Sequence, residues 1–214
     1  MGLRSWMMAK LYDYSMKGVE EQCLSLWRKE LLRNTRGYVL ELGAGTGLNL
    51  LHYPSSVEEL VLSEPDASMR AELKKKLRSQ PTPEVTLLED SAESLSVPNF
   101  SVEFVVSILV LCSVNDLDAS LKEIRRVLKP GGKLLLIEHV KNPNYAFNQR
   151  LLEPFRRFFC GNCHLTRDTK QALERNGFRT DKLVEAEMQG APKYAAKSIV
   201  GAAQLAGTPS PTGA

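Results

Sequence analysis

The chain has 214 residues, 43% hydrophobic and 25% charged, a composition that suits one soluble domain with a substantial core. Its 28 basic and 25 acidic residues leave a formal charge of +3, too small and too dispersed for a nucleic-acid footprint, so no nucleic-acid partner is expected. No apolar run approaches the roughly 20 residues of a membrane helix, the start "MGLRSWMMAK" lacks signal-peptide features, and four irregularly spaced cysteines fit reduced thiols; the expectation is a cytoplasmic protein.

In chain order, Val19, Cys23, Trp27 and Leu31 recur at four-residue steps and predict an amphipathic helix that stops at Gly37, preceded by an aromatic stretch with Trp6, Tyr12 and Tyr14. Residues 1–36 read as an N-terminal helical cap or lid. Five short apolar runs follow, "YVLEL", "ELVLSE", "VTLLED", "EFVVSILVL" and "KLLLIEHV", with little polar alternation, as expected of strands buried on both faces of a parallel sheet. Helical patterns lie between them, clearest in "DASMRAELKKKLRSQ" and "DLDASLKEIRRVLK", and Pro130-Gly131-Gly132 breaks the chain before the fifth strand. The alternation predicts an α/β fold: a Rossmann-like, doubly wound sheet with helices on both faces.

Beyond Val140 the pattern changes. "NPNYAFNQRLLEPFRRFF" reads as an irregular aromatic and basic helical segment, and "TRDTKQALERNGF" as a helix capped by Thr166 or Asp168 and stopped by Gly177. "RTDKLVEAEM" and "KSIVGAAQL" suit two antiparallel strands closing the sheet. The main domain then spans residues 37–205, and residues 206–214 read as a disordered tail.

The chemistry concentrates in "YVLELGAGTGLNL", residues 38–50. Gly43, Gly45 and Gly47 are spaced two apart between a strand and a helix, where bare backbone lets a ligand approach without meeting a Cβ. The GxGxG spacing is one residue short of the dinucleotide GxGxxG, which argues against a nicotinamide-dependent oxidoreductase. Glu41 precedes the glycines, Glu64 ends the second strand and Asp90 the third. A carboxylate at the end of the second strand suits ribose hydroxyls, and Asp90 can accept from an exocyclic amine; each acid alone is equally explained as a helix cap or a solvated carboxylate.

"LELGAGTG", "EPD", "LLEDSAESL", "EFVVSILVL" and "EIRRVLKPGGKLLLIEHV", in this order, resemble the motif series of class I S-adenosylmethionine (SAM) dependent methyltransferases over residues 38–140. Within them the chain is similar to the ubiquinone/menaquinone-biosynthesis branch. Through "LVLCSV", "EHV" and "CGNCHLTRDTKQALE" it is similar to the methyltransferase-like-seven proteins, associated with S-methylation of alkyl thiols. The resemblance implies SAM as cofactor. It implies that the turn Gly43, Ala44, Gly45 to Gly47 underlies the methionine part, with Glu41 near the ammonium and Glu64 on the ribose. Asp90 would approach the adenine amine, Ser91 and Ala92 would line that ring, and Ser107 and Leu109 would face the sulfonium. Glu64 and Glu103 stand where aspartate is common in the family.

Methyl transfer from a sulfonium needs alignment in a dry pocket and no covalent nucleophile. A thiol or phenol acceptor must lose a proton, and His139, after the fifth strand, is the candidate base, set against a purely structural histidine. Cys160-Gly-Asn-Cys163 resembles half of a metal or redox site. Cys23, Cys112, His52 and His139 are distant in sequence, so the expectation is buried reduced thiols, no metal, and His164 as a packing or pocket residue. The acceptor is expected to be small and fairly apolar, reached past aromatic lids. Arg156 and Arg157 among phenylalanines, with Trp6, Met7 and Met8, equally suit peripheral contact with a membrane. Sulfur is favoured as acceptor atom. Oxygen or carbon of a quinone precursor, nitrogen of an amine or phospholipid headgroup, and a non-catalytic SAM-binding partner are the alternatives.

Overall fold

The computed structural model describes residues 3–79 and 83–207. The tail expected at 206–214 falls outside them from 208 onward. Ala206 is still tied to the body, donating its N–H to the Gly177 carbonyl at 2.8 Å.

The helix expected from Val19 onward begins much earlier, at Leu3. Helix α1 (Leu3–Val19) runs through a wide π turn (Glu20–Leu24) into α2 (Ser25–Leu32), so Trp6, Tyr12 and Tyr14 are already helical. The helix ends at Leu32 rather than at Gly37; Thr35 Oγ1 bonds back to the Leu32 carbonyl, and Gly37, at φ +63°, opens the first strand.

Five parallel strands form where the apolar runs predict them: β1 (Gly37–Leu42), β2 (Val57–Ser63), β3 (Glu84–Leu88), β4 (Val102–Ile108) and β5 (Leu128–His139). Pro130-Gly131-Gly132 does not precede β5 but forms an irregularity inside it, where the β4 register jumps from Val102↔Leu128 to Phe104↔Lys133. Helix α3 (Ala67–Ser79) follows β2, and α4 (Leu117–Val127), capped by Asp116, follows β4. The basic aromatic segment is a regular helix, α5 (Ala146–Phe159), despite Pro154. Helix α6 (Thr169–Arg175) is capped by Asp168, whose carboxylate accepts from the Gln171 N–H. After it come β6 (Phe178–Arg179), β7 (Leu183–Glu187), the one-turn α7 (Lys193–Ala196) and β8 (Lys197–Leu205).

The sheet order is β3-β2-β1-β4-β5-β8-β6, with β7 also paired to β8 and β6, β7 and β8 antiparallel to their neighbours. Both faces are covered. Leu40, Leu42, Val105, Leu134 and Leu136 pack with Leu121, Ile124 and Val127 of α4 and Leu173 of α6; Val39, Leu60, Leu62, Val106 and Ile137 pack with Leu24, Leu32 and Leu73 from α1–α3. The chain leaves β1 for β2 on one side and returns through β4 on the other, which opens a crevice at the carboxyl ends of β1 and β4. The register aligns Leu42 with Ser63 and Ser107, so Gly43, Glu64 and Ile108 share one rim.

Candidate active site

The glycines take left-handed φ angles of +54°, +57° and +84° at Gly43, Gly45 and Gly47, but for different reasons. A Cβ on Gly43 would stand 2.7 Å from Val110 Cγ2, and one on Gly47 would stand 2.7 Å from Leu73 Cδ1. At Gly45 it would meet nothing closer than the Gly43 carbonyl at 3.9 Å. Gly43 and Gly47 therefore serve packing, whereas a side chain at Gly45 would stand in open space.

The acids converge on that turn. Glu64, 6% exposed, accepts the Gly45 N–H at Oε2 and the Asp66 N–H at Oε1, each at 2.8 Å; burial raises its pKa and these two bonds oppose the rise. Glu41, 2% exposed, accepts from Asn49 Nδ2 at 2.8 Å and from the Tyr53 hydroxyl at 2.6 Å. Burial pushes Glu41 up to about 7 despite those bonds and the nearby Arg28. Arg28 donates to Asn49 Oδ1 at 2.6 Å and pairs with Glu20 at 2.8 Å, an i, i+8 contact that spans the π turn. Sequence reasoning missed this relay of Glu20, Arg28, Asn49 and Glu41, because its members are separated by a helix and a loop.

Asp90 is turned into its own loop, accepting from the Ser96 N–H at 2.6 Å and the Ser96 hydroxyl at 3.1 Å. Ser91 forms a bridge with Ser94, and Ala92 is buried in the core. At the end of β4, Leu109 holds φ +61°, a costly angle for a leucine, with its N–H on the Ile137 carbonyl at 2.8 Å. Buried Ser107 donates to Glu138 at 2.7 Å. Sequence reasoning gave Glu138 no role, yet it organises the next loop: fully buried, it also accepts the N–H groups of Val110, Leu111 and Cys112 at 3.0, 2.9 and 3.0 Å. An acid inside the apolar run "LLLIEHV" was the available signal. Glu103 lies at the opposite end of the sheet, accepting the Tyr38 N–H at 2.8 Å.

The fold brings Cys112 and His139 to Cys163, against the expectation that they stay apart. His139 Nδ1 is 4.0 Å from Cys112 Sγ and 3.8 Å from Cys163 Sγ, and the two sulfurs are 3.7 Å apart. Contact with the Cys112 thiol, helped by His139 and Arg156, pulls the Cys163 pKa below its ordinary value against burial, while the same contact and burial push Cys112 up. Cys160, expected to be buried, is exposed. His164 sets its ring Nδ1 3.3 Å from Glu153 Oε1 and donates its main-chain N–H to the Cys112 carbonyl at 2.8 Å.

Helix α1 lies over the glycine turn. The Asp13 carboxylate bridges Thr46 Oγ1 at 2.5 Å and Lys76 Nζ at 2.7 Å, and Ser5 reaches Asp66 at 2.6 Å. Tyr12, its pKa pushed up to about 12 by burial, lines the cavity with Arg28, Glu41, Gly45 and Ile108, leaving about 20 Å³, room for a single water. Beside the bare turn the buried carboxylates offer acceptors of the kind that an ammonium and ribose hydroxyls need, and α1 lies over them.

Residues 40–136 match the family described as Methyltransferase domain. The chain is 30% identical over 199 residues to the human (Homo sapiens) thiol S-methyltransferase TMT1A, covering 86% of this chain and 81% of that protein. It is 36% identical over 107 residues to the ubiquinone/menaquinone biosynthesis C-methyltransferase UbiE of Shewanella oneidensis, covering 48% of this chain and 43% of that protein. Among solved structures it resembles a SAM-dependent methyltransferase from Thermotoga maritima, with a TM-score of 0.69 and 18% identity, covering 95% of this chain and 99% of that one. The chain therefore belongs to the SAM-dependent methyltransferases: it is a methyltransferase with S-adenosylmethionine as its cofactor.

Proposed function

We propose that the enzyme methylates the sulfur of a small, fairly apolar thiol. The observation that carries this reading is the similarity to a thiol S-methyltransferase across most of both chains, well beyond the SAM motifs, whereas the likeness to a quinone-pathway C-methyltransferase covers about half of this one.

SAM supplies an electrophilic methyl group. Glu64, fixed by the Gly45 and Asp66 N–H groups, is the residue proposed to hold the ribose, and Glu41 the one proposed to face the ammonium. Asp90 and Ser91 are assigned to the adenine and Leu109 to the side from which the acceptor arrives, whereas Ser107, fully buried on Glu138, and Ala92, in the core, act only by holding that rim in place. Helix α1 is proposed to act as a lid: its Asp13 and Tyr12 sit on the glycine turn, and closure there would exclude water. His139 is assigned to ionising the acceptor thiol, which is already partly a thiolate near neutral pH.

The exposed faces of α1 and α5 support an apolar acceptor. Phe147, Leu151, Phe155 and Phe158 recur along α5 and are more than half exposed, as are Leu11 and Tyr14 on α1. With Arg150 and Arg157 beside them, they suit a peripheral position on a membrane into which apolar thiols partition. Among the described residues no helix is long and apolar enough to cross a membrane. Incubation with SAM and a panel of alkyl thiols tests the reading: methyl thioethers and S-adenosylhomocysteine are expected in equal amounts, and their absence with every thiol would overturn it.

A further inference from the structure

We propose that Cys112, His139 and Cys163 form a zinc site with one open coordination position, and that this position receives the sulfur of the acceptor. The second half rests on the thiol reading above; the first does not.

The donor geometry carries the proposal. A tetrahedral zinc ion with sulfur at about 2.3 Å and nitrogen at about 2.0 Å separates its ligands by about 3.5–3.8 Å. The three donor separations here are 3.7, 3.8 and 4.0 Å. All three residues are buried, at 1%, 7% and 3% exposure for Cys112, His139 and Cys163, and among the described residues no fourth ligating side chain joins them. Two cysteines and a histidine suit zinc, and three protein ligands leave room for an exogenous fourth.

The surroundings hold the donors still. Cys112 has its N–H on Glu138 and its carbonyl on the His164 N–H at 2.8 Å. Arg167 grips the carbonyls of Leu111 and Val114 at 2.7 and 2.6 Å, and Asn162, at φ +67°, donates to the Ser113 carbonyl at 2.9 Å, so the Cys163 turn is strapped onto the Cys112 loop. Such support is what fixes metal ligands in place. The Arg156 guanidinium hydrogen-bonds Cys163 and places a positive charge beside the cluster, while its buried Nε has no hydrogen-bond partner. Cys112 lies in the loop that follows β4 and His139 ends β5, so the cluster stands at the same carboxyl edge of the sheet as the glycine turn that follows β1.

The chemistry balances. The acceptor R–SH binds zinc through sulfur and releases its proton to solvent, because coordination favours the thiolate. A sulfur lone pair then forms the new S–C bond as the donor's S–CH₃ bond breaks, its electron pair remaining on the departing S-adenosylhomocysteine. The neutral thioether, a weaker ligand, leaves the ion. His139 thus assists ionisation as a ligand rather than as a free base.

The full chain, purified under reducing conditions in the presence of zinc and freed of loosely held metal, is expected to carry one zinc per chain by elemental analysis. Cys163→Ser and Cys112→Ser should lose it while exposed Cys160→Ser keeps it, with circular dichroism confirming that each variant is folded. Chelation and reloading of the unaltered protein supplies the same test without mutation. The cobalt-substituted protein should show sulfur-to-metal charge transfer that shifts when 2-mercaptoethanol is added. Zinc-free protein with free thiols, or one containing a Cys112 to Cys163 disulfide, would overturn the site; a cobalt spectrum indifferent to thiol would overturn the open position. Thiol methylation by zinc-free enzyme would sink this inference alone, and zinc binding without methylation of any thiol would sink the acceptor assignment alone.

Discussion

Glu64 accepts the main-chain N–H of Gly45 at 2.8 Å, joining the acid at the end of β2 to the only glycine of the turn whose missing side chain faces open space. If Glu64 holds the ribose, Glu64→Gln should weaken SAM binding by about ten- to a hundredfold, the worth of one hydrogen bond to a charged group. Titration calorimetry measures this directly, and an unchanged affinity would remove the assignment.

The three glycines should separate experimentally. Gly45→Ala pays the left-handed backbone cost, about 1–2 kcal/mol, and should fold yet bind SAM poorly because the new methyl fills that open space. Gly47→Ala adds a clash with Leu73 and Leu50 and should cost about 2–4 kcal/mol of stability. Denaturant melts beside binding curves check the pair; equal stability losses would contradict the division of roles.

Glu41 predicts a pH dependence. Its folded pKa is raised to about 7, so the unliganded protein holds a proton there that the unfolded chain releases, and this group's contribution to stability falls as pH rises from about 4.5 to about 7. An ammonium facing Glu41 favours the carboxylate, so SAM binding should release that proton and tighten with pH across the same interval. Glu41→Gln should flatten both slopes. A wild-type affinity that does not vary between pH 5 and pH 7 would place the ammonium elsewhere.

Helix α1 is pinned to the site by Asp13, which binds both Thr46 and Lys76. Asp13→Ala should loosen the helix and raise the SAM association rate several-fold in stopped-flow measurements, since the closed cavity holds about one water. An unchanged rate would mean that α1 does not gate entry.

The parallel strands were legible because continuous Val, Leu and Ile runs have few other uses, and Asp168 with Gly177 marked the ends of the α6 region well. Helix α1 was less legible: its aromatic and basic residues give no clean apolar stripe, since one face covers the glycine turn while Trp6, Leu11 and Tyr14 face outward. The glycines and acids of the rim were readable as a set because strand ends in such sheets align. Cys112, His139 and Cys163 were not readable as a cluster, because no local period links residues 24 to 51 positions apart; the meeting depends on the turn at Asn162 and on Arg167 reaching back to the β4 loop.

The identity of the acceptor atom is tested most directly by supplying methyl-labelled SAM with matched thiol, phenol, quinol and amine acceptors and locating the label by mass spectrometry. The account predicts label on sulfur, with turnover of apolar thiols exceeding that of every other class. Label transferred to carbon, oxygen or nitrogen while thiols remain unmodified would contradict it.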